Sequence, residues 1–197
     1  NLAGENLTEG VFFSGDIMLD AFIKFNSLKK SLNQIPINSE FVLATIHRRE
    51  NLFSKERLSS IFNNLNKINR EKKIIFPLHP HTKKMMKEFK IKSDINFIEP
   101  LGYLSMLSLL KNSIMVITDS GGLQKESFFA SKKCLVVRKQ TEWIELLDNK
   151  TNLLTSPKNI YDFYKKLISQ KCDFSTNPYG NGEATNIIIE SILKFLK

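Results

Sequence analysis

From Phe41 onward, short runs of apolar residues alternate with longer stretches that have the apolar period of amphipathic helices. The runs are apolar throughout rather than at every second residue, which is typical of strands buried on both faces. Strand–helix–strand repetition at this spacing indicates right-handed βαβ units, so the sequence predicts an α/β fold with a doubly wound, Rossmann-like parallel sheet. The predicted strands are 41–46, 73–78, 95–98, 113–118 and 134–137, and the predicted helices between them are 54–70, 82–90, 103–112 and 122–131.

Two segments flank the predicted sheet domain, which covers residues 41–155. Residues 1–40 predict a linker and a helix over 16–32, followed by a breaker that contains Pro and Asn. Residues 156–197 predict two helices that pack on the sheet domain or cross to another domain. The chain opens on Asn rather than Met and shows no basic-then-apolar leader, so we expect a piece of a longer protein without a signal peptide.

The composition and charge limit the kinds of binding partner that we expect. Hydrophobic residues make up 42% and charged residues 25% of the 197 residues, which is globular composition, and no apolar run approaches the ~20 residues that span a bilayer. The chain has 29 Lys+Arg against 20 Asp+Glu, a formal charge of +9. The cations are mostly lysines spread along helices, without a nucleic-acid-binding motif, so we expect no nucleic acid and no membrane partner; an anionic small ligand would fit the charge. Cys134 and Cys172 lack metal-site spacing, and we expect a reducing, cytoplasmic location.

Polar and charged residues cluster directly after the predicted strands. Ligands of open α/β sheets bind at the carboxyl ends of the strands, so function is expected at these places. The segments concerned are 47–51, 79–81, 99–100, 119–122 and 138–142.

The segment 118–122 reads Thr-Asp-Ser-Gly-Gly and joins a predicted strand to a predicted helix. Glycine backbone N–H groups at a helix N-terminus suit a phosphate or diphosphate, and Ser120 adds a hydroxyl. Glu126 follows Gly122 by one helical turn on the same face, where a carboxylate can accept hydrogen bonds from a ribose diol. An ordinary helix start, capped by Asp119 or Ser120, explains the same residues, and the segment alone leaves both interpretations open.

His47, Arg48, Arg49 and Glu50 bring an imidazole, two guanidinium groups and a carboxylate to one strand end. Arginine suits phosphate oxygens, and histidine suits proton transfer near neutral pH. The alternative is a local Arg49–Glu50 ion pair beside a structural histidine. The pattern His79-Pro80-His81 could hold a metal, but the chain has only three histidines and few further ligands at matched positions, so we expect no metal.

Six strings follow one another in the chain: TIHRREN (45–51), PLHP (77–80), LGYLSMLSLL (101–110), TDSGGLQKES (118–127), RKQTEWIEL (138–146) and NPYGNGEA (177–184). Their order resembles the C-terminal half of the non-hydrolysing UDP-N-acetylglucosamine 2-epimerases. The resemblance implies one half of a glycosyltransferase-B-type fold, with the active site between two domains. It also implies the interconversion of UDP-GlcNAc and UDP-ManNAc, or modified relatives, by elimination and re-addition of UDP without a cofactor. Because the catalytic acids of that family come from the N-terminal domain, we expect the isolated chain to be inactive.

The resemblance also implies roles for individual residues. Ser120, Gly121 and Gly122 are expected to cradle the diphosphate, Glu126 to bind the ribose, and His47 to contribute to catalysis. Arg48 and His79 are expected to bind a second, regulatory UDP-sugar, and Tyr103 is expected to lie beside the uracil. Arg138, Thr141 and Glu142 are expected to belong to a loop that closes over the sugar nucleotide. A UDP-sugar is the expected partner, a homodimer the expected full-length assembly, and surface-polysaccharide synthesis the expected pathway.

Several positions depart from the family pattern: Lys125 stands where many members have an acid, and Trp143 where many have Arg. Residues 131–133 lack the usual Gly, and PLHPH (77–81) stands where HxNP is commoner. They leave the exact sugar open. Two other functions remain as alternatives, namely the nucleotide-binding domain of a UDP-sugar glycosyltransferase and a non-catalytic UDP-sugar-binding module.

Overall fold

The computed structural model describes residues 2–27 and 39–196. The chain divides into two compact units, one made of Asn1–Leu28 with Asn177–Lys197 and one made of Lys29–Thr176. The last five residues of the helix predicted over 16–32, and the breaker after it, lie outside the described residues. The predicted C-terminal segment 156–197 is shared between the two units.

The larger unit is built on a parallel sheet in the strand order β3-β2-β1-β4-β5-β6, which confirms the predicted doubly wound α/β fold. The sequence prediction contained five strands and missed the last one. That strand is three residues long and is preceded by polar residues, so its pattern resembles a loop. The strands are β1 (Val42–Thr45), β2 (Ile74–Pro77), β3 (Asn96–Ile98), β4 (Met115–Thr118), β5 (Lys133–Val136) and β6 (Asn152–Leu154).

The predicted helices between the strands are confirmed, with bounds that differ by one or two residues. Two short helices that the sequence analysis did not predict, α2 and α7, follow strand-end loops. A 3-10 helix covers Leu2–Glu5. The α-helices are α1 (Ile17–Ser27), α2 (Arg49–Leu52), α3 (Lys55–Glu71), α4 (Pro80–Glu88), α5 (Tyr103–Asn112), α6 (Gly121–Phe129), α7 (Ile144–Asp148), α8 (Ile160–Ser169) and α9 (Ala184–Phe195).

Helix α3 shows how the sequence pattern produces the core of the larger unit. Ser54 caps it, because its hydroxyl oxygen accepts a hydrogen bond from the Arg57 backbone N–H at 3.3 Å. Its apolar residues recur at helical spacing and are fully buried. Phe62 reaches Phe76 of β2, with ring centroids 5.7 Å apart, so the helix is fixed on the sheet by an aromatic contact.

The smaller unit joins α1 to α9. The carboxylate of Asp20 accepts hydrogen bonds from the backbone N–H groups of Ala184 at 3.2 Å and Thr185 at 2.7 Å, which are orphan donors at the start of α9. Gly182, at a φ of +88°, turns the chain into that helix beside Ile23. Among the described helices, none combines the length and the apolar character that crossing a membrane requires.

Candidate functional site

The strand order reverses between β1 and β4. The chain runs outward from β1 through β2 to β3, and then returns to β4 on the other side of β1. In doubly wound sheets this switch point opens a crevice at the carboxyl ends of the strands, where ligands bind. Thr45 and Thr118 end the two strands side by side, with their hydroxyl oxygens 2.7 Å apart. We call the place where residues 46–51 and 119–122 follow these strands the β1/β4 crevice.

Asp119 is a buried anchor of the β1/β4 crevice. Its carboxylate accepts hydrogen bonds from the backbone N–H of His47 at 3.1 Å and of Arg48 at 2.9 Å. The side-chain amide of Asn51 donates to the same carboxylate at 3.0 Å and also to the Val137 carbonyl at 3.0 Å. The loop after β1 is therefore held to the loop after β4 by one carboxylate.

Asn51 extends this network to α3. Its side-chain oxygen accepts a hydrogen bond from Nη2 of Arg57 at 2.9 Å, and Asn51 is fully buried. Buried polar groups stabilise a fold when they have partners, and here the amide donates and accepts. The sequence analysis did not single out Asn51 or Arg57; the only available signal was an amide in a loop rich in charge.

Ser120 caps α6. Its hydroxyl oxygen lies 3.5 Å from the backbone nitrogen of Leu123, and its own backbone N–H donates to the Thr118 hydroxyl at 3.0 Å. Of the two cap candidates in the sequence, Ser120 therefore has this position, while Asp119 faces the loop after β1. The first residue of the helix is Gly121, so the helix N-terminus reaches the crevice without a side chain.

Arginine and glutamate side chains surround that glycine. A Cβ placed on Gly121 would lie 3.5 Å from Nη2 of Arg48 and 3.9 Å from Oε2 of Glu142. Arg138 is buried and donates two hydrogen bonds to Glu142, at 2.7 and 2.9 Å. Its Nε also lies 4.0 Å from the Glu50 carboxylate. The hydrogen bonds from Arg138 lower the pKa of Glu142 to about 2, so this carboxylate is charged at neutral pH.

The guanidinium group of Arg48 and the helix N-terminus together favour an anion. A helix start carries a partial positive charge and unpaired N–H donors. Arg48 adds a full positive charge beside Gly121. The arrangement is suited to a phosphate or diphosphate group, provided that Glu142 remains neutralised by Arg138.

Glu126 lies one turn into α6 and is 9% exposed. Burial raises the pKa of its carboxyl group, while a hydrogen bond with the Tyr103 hydroxyl opposes that shift. Burial and the neighbouring carboxylate raise the pKa of Tyr103 to about 12, so the phenol keeps its proton. A buried carboxylate that already accepts one hydroxyl can accept further hydroxyls from a diol.

The loop after β5 is attached to α6 at several points. Trp143 donates from its indole nitrogen to the Gly121 carbonyl at 3.0 Å, and the Thr141 hydroxyl donates to the Gln124 side chain at 2.6 Å. Nζ of Lys125 lies 4.2 Å from the centre of a Trp143 ring, a cation–π contact. Lys125 and Trp143, which both depart from the family pattern, thus contact each other. The sequence alone did not predict this contact.

The histidines form a row above β1 and β2. The ring centroids of His47 and His79 are 5.7 Å apart, and those of His79 and His81 are 5.6 Å apart. Burial and the two neighbouring imidazoles lower the pKa of His79. Its Nδ1 accepts a hydrogen bond from the His81 backbone N–H at 3.2 Å at the start of α4, so this nitrogen already has a structural partner. Within residues 2–27 and 39–196, no group of three His, Cys, Asp or Glu side chains is placed to hold a metal ion.

The structure thus brings the sequence-predicted site residues into three groups. Arg48, Gly121, Arg138 and Glu142 surround the start of α6; Tyr103 and Glu126 form a pair; and His47 and His79 stack. Ser120, Gly122 and Thr141 lie on α6 or against it.

The sequence model of the UDP-N-acetylglucosamine 2-epimerase family matches residues 1–193. The chain belongs to this family. The resemblance found in the motifs is therefore confirmed, and with it the prediction of one half of a glycosyltransferase-B-type fold.

Individual members of this epimerase family are also similar to the chain. A UDP-2,3-diacetamido-2,3-dideoxy-D-glucuronate 2-epimerase of Pseudomonas aeruginosa is 36% identical over 183 residues, which are 91% of this chain and 52% of the relative. A UDP-N-acetylglucosamine 2-epimerase of Methanococcus maripaludis is 35% identical and covers 98% of this chain and 57% of its own length. The crystal structure of the Methanocaldococcus jannaschii UDP-GlcNAc 2-epimerase in complex with UDP-GlcNAc and UDP superposes with a TM-score of 0.84 at 32% identity, over 98% of this chain and 57% of that one. The chain therefore spans little more than half the length of the epimerases it matches.

Proposed function

We propose that this chain is the UDP-sugar-binding half of a UDP-N-acetylglucosamine 2-epimerase, an isomerase that interconverts UDP-GlcNAc and UDP-ManNAc or modified relatives of them. The observation that carries the proposal is the start of α6, where Gly121 puts no side chain at the helix N-terminus and the guanidinium group of Arg48 lies beside it. Glu126, buried one turn later, is placed to bind a ribose while the diphosphate stays at the glycines.

The proposal gives each group of residues a task. Gly121 and Gly122 bind the diphosphate through backbone N–H groups, Ser120 adds its hydroxyl, and Glu126 accepts hydrogen bonds from the ribose. Tyr103 lies toward the uracil, since its hydroxyl contacts the same carboxylate.

The loop after β5 closes the site over the sugar nucleotide. Arg138, Thr141 and Glu142 belong to it, and their contacts to each other and to α6 keep it folded before a ligand arrives. Arg48 has two tasks open to it, the diphosphate of the substrate or, with His79, a second UDP-sugar. Its position beside Gly121 favours the first.

The proposed reaction separates bond breaking from bond making. The C2 proton is removed and the C1–O bond to UDP breaks, which gives a 2-acetamidoglucal and free UDP. A proton then adds to C2 from the opposite face and a UDP oxygen attacks C1, so atoms and charge balance over the cycle. In this half, His47 would assist at the crevice, and the helix N-terminus with Arg48 would stabilise the charge on the leaving diphosphate. The acids that move the C2 proton belong to the other half, so the isolated chain would bind UDP but would not epimerise a UDP-sugar.

The setting of the full-length protein is part of the proposal. We place it in the cytoplasm, as a homodimer that supplies precursors of surface polysaccharides. Cys134 and Cys172 are both free thiols, which suits a reducing compartment. Sedimentation of the full-length protein would test the dimer.

A calorimetric titration of the chain with UDP, with CMP and a short DNA duplex as comparison ligands, tests the proposal. We expect UDP-selective binding that weakens in Glu126→Gln by about 1.5–3 kcal/mol, the value of a hydrogen bond to a charged group. Glu88→Gln is the matched control, because it removes an exposed glutamate at the end of α4. Binding of the DNA duplex in preference to UDP, with a steep salt dependence, would refute the proposal.

A further inference from the structure

Asp119 contacts the loop after β1 through more than backbone groups. Its Oδ1 lies 3.6 Å from Nδ1 of His47, in addition to the hydrogen bonds it accepts from the His47 and Arg48 backbones. The carboxylate is fully buried, whereas the His47 side chain is 38% exposed. One end of the imidazole therefore faces a buried carboxylate, and the side chain as a whole is partly exposed.

The two ring nitrogens of a neutral histidine are not equivalent. One carries the proton and donates, and the other accepts, and the group facing one nitrogen decides which tautomer forms. A carboxylate favours N–H on the nitrogen it faces, because it can only accept. The His79 ring also contacts His47, and its Nδ1 already accepts a hydrogen bond from the His81 backbone. Asp119 is thus the group that faces Nδ1.

We infer that Asp119 is a positioning residue for His47: it keeps the imidazole proton on Nδ1, so that the lone pair of Nε2 is presented to the β1/β4 crevice. An imidazole in this tautomer can take up a proton at Nε2, and the cation that forms faces the Asp119 carboxylate through its Nδ1–H. The backbone hydrogen bonds of the same carboxylate fix where the ring is attached, so tautomer and position come from one side chain. The inference rests on the proposed function in that it refines the part played by His47.

Ring-nitrogen NMR of the full 197-residue chain tests this directly. Long-range ¹H–¹⁵N spectra recorded above about pH 8, where imidazoles are neutral, distinguish a protonated from an unprotonated ring nitrogen. His47 is assigned from the signals lost in His47→Gln. In the wild type we expect His47 to be the Nδ1–H tautomer.

Asp119→Asn is the decisive variant. It keeps the shape of the side chain and an oxygen for the backbone N–H groups, but it can turn an amide N–H toward Nδ1. We expect the majority tautomer of His47 to change to Nε2–H, while the His79 and His81 signals keep their wild-type pattern. Asn51→Ala is the matched control, because it removes another member of the same network without altering the carboxylate, and we expect His47 to remain Nδ1–H there.

Two results would overturn the inference: a wild-type His47 with its proton on Nε2, or a His47 tautomer that is the same in Asp119→Asn as in the wild type. The wild-type spectrum decides even if a variant folds poorly. UDP binding is measured separately on the same samples. A Nδ1–H tautomer without UDP binding would therefore contradict the proposed function and leave the positioning by Asp119 intact. UDP binding by a chain whose His47 is the Nε2–H tautomer would contradict the positioning by Asp119 and leave the proposed function intact.

Discussion

Arg138 and Glu142 form a two-pronged ion pair at the edge of the β1/β4 crevice, with N–O distances of 2.7 and 2.9 Å. Arg138 is buried, whereas the Glu142 side chain is 50% exposed. Water therefore weakens the attraction, and the pair is worth less than its geometry alone suggests. Its role in this account is to neutralise a carboxylate that would otherwise oppose an anion at Gly121.

Replacing Glu142 by Gln should lower the free energy of unfolding by about 1 kcal/mol at pH 7. The pKa of Glu142 is lowered from 4.5 to about 2 in the folded protein. The stabilisation by the charged pair is therefore present above about pH 4.5 and is lost as the pH falls through about 2. Urea unfolding at several pH values measures the difference between wild type and variant, which should shrink over this window. Glu88→Gln is the control, and a Glu142→Gln difference that is constant from pH 7 to pH 2 would contradict the assigned cause.

Gly121→Ala should reduce UDP binding without unfolding the protein. The added Cβ would meet Arg48, Glu142 and Trp143 at 3.5 to 3.9 Å, which is ordinary contact, so the fold can accept it. It would nevertheless lie at the start of α6, where the diphosphate is proposed to bind. Trp143 is the only tryptophan of the chain and donates to the Gly121 carbonyl, so its fluorescence is the natural signal for UDP binding. Gly4→Ala, at a position with open space, is the control; equal UDP affinity in both variants would argue against a diphosphate at Gly121.

Gly182→Ala should destabilise the smaller unit more than Gly10→Ala. Both glycines have positive φ, +88° and +69°, so any L side chain there carries backbone strain of about 1–2 kcal/mol. At Gly182 the new Cβ would also lie 2.5 Å from Cδ1 of Ile23, which must move aside, whereas the space at Gly10 is open. Hydrogen exchange of the α9 amides measures the local opening. Equal acceleration in the two variants would show that backbone strain, and not the Ile23 contact, sets the cost.

Cys172, rather than Cys134, should account for the thiol reactivity of the folded chain. Cys134 is fully buried in β5, and burial raises the pKa of its thiol to about 12, so almost no thiolate forms. Cys172 is partly exposed, although burial raises its pKa as well. A thiol-reactive dye should label native Cys134→Ala as the wild type and leave native Cys172→Ala unlabelled. Labelling of native Cys172→Ala would mean that β5 opens readily.

The sequence predicted most of the fold because its strands are buried on both faces and its helices have a clear period. Strand β6 was not predicted, because Asn152–Leu154 is too short to show an apolar pattern. It is held by its pairing with β5, which depends on residues distant in the chain. The same limit applies to helices α2 and α7, with four and five residues.

The sequence indicated which segments form the candidate site, but not which of their residues contact each other. The structure places the polar segments 47–51, 119–122 and 138–142 after strands β1, β4 and β5, because this depends on the fold class alone. The contact of Asp119 with the loop at His47 depends on β1 lying next to β4, and strand order cannot be read from one sequence. For the same reason Asn51 and Gln124, whose partners are distant in the chain, were missed.

Backbone amide chemical shifts, followed during a titration of the chain with UDP, would show which residues the ligand contacts. We predict saturable shifts concentrated at residues 120–122, at Glu126 and at Tyr103, and much smaller shifts at the same residues with CMP. Saturation by UDP that leaves the start of α6 unchanged, or no shift at millimolar UDP, would contradict the assignment of this crevice as the site of a UDP-sugar.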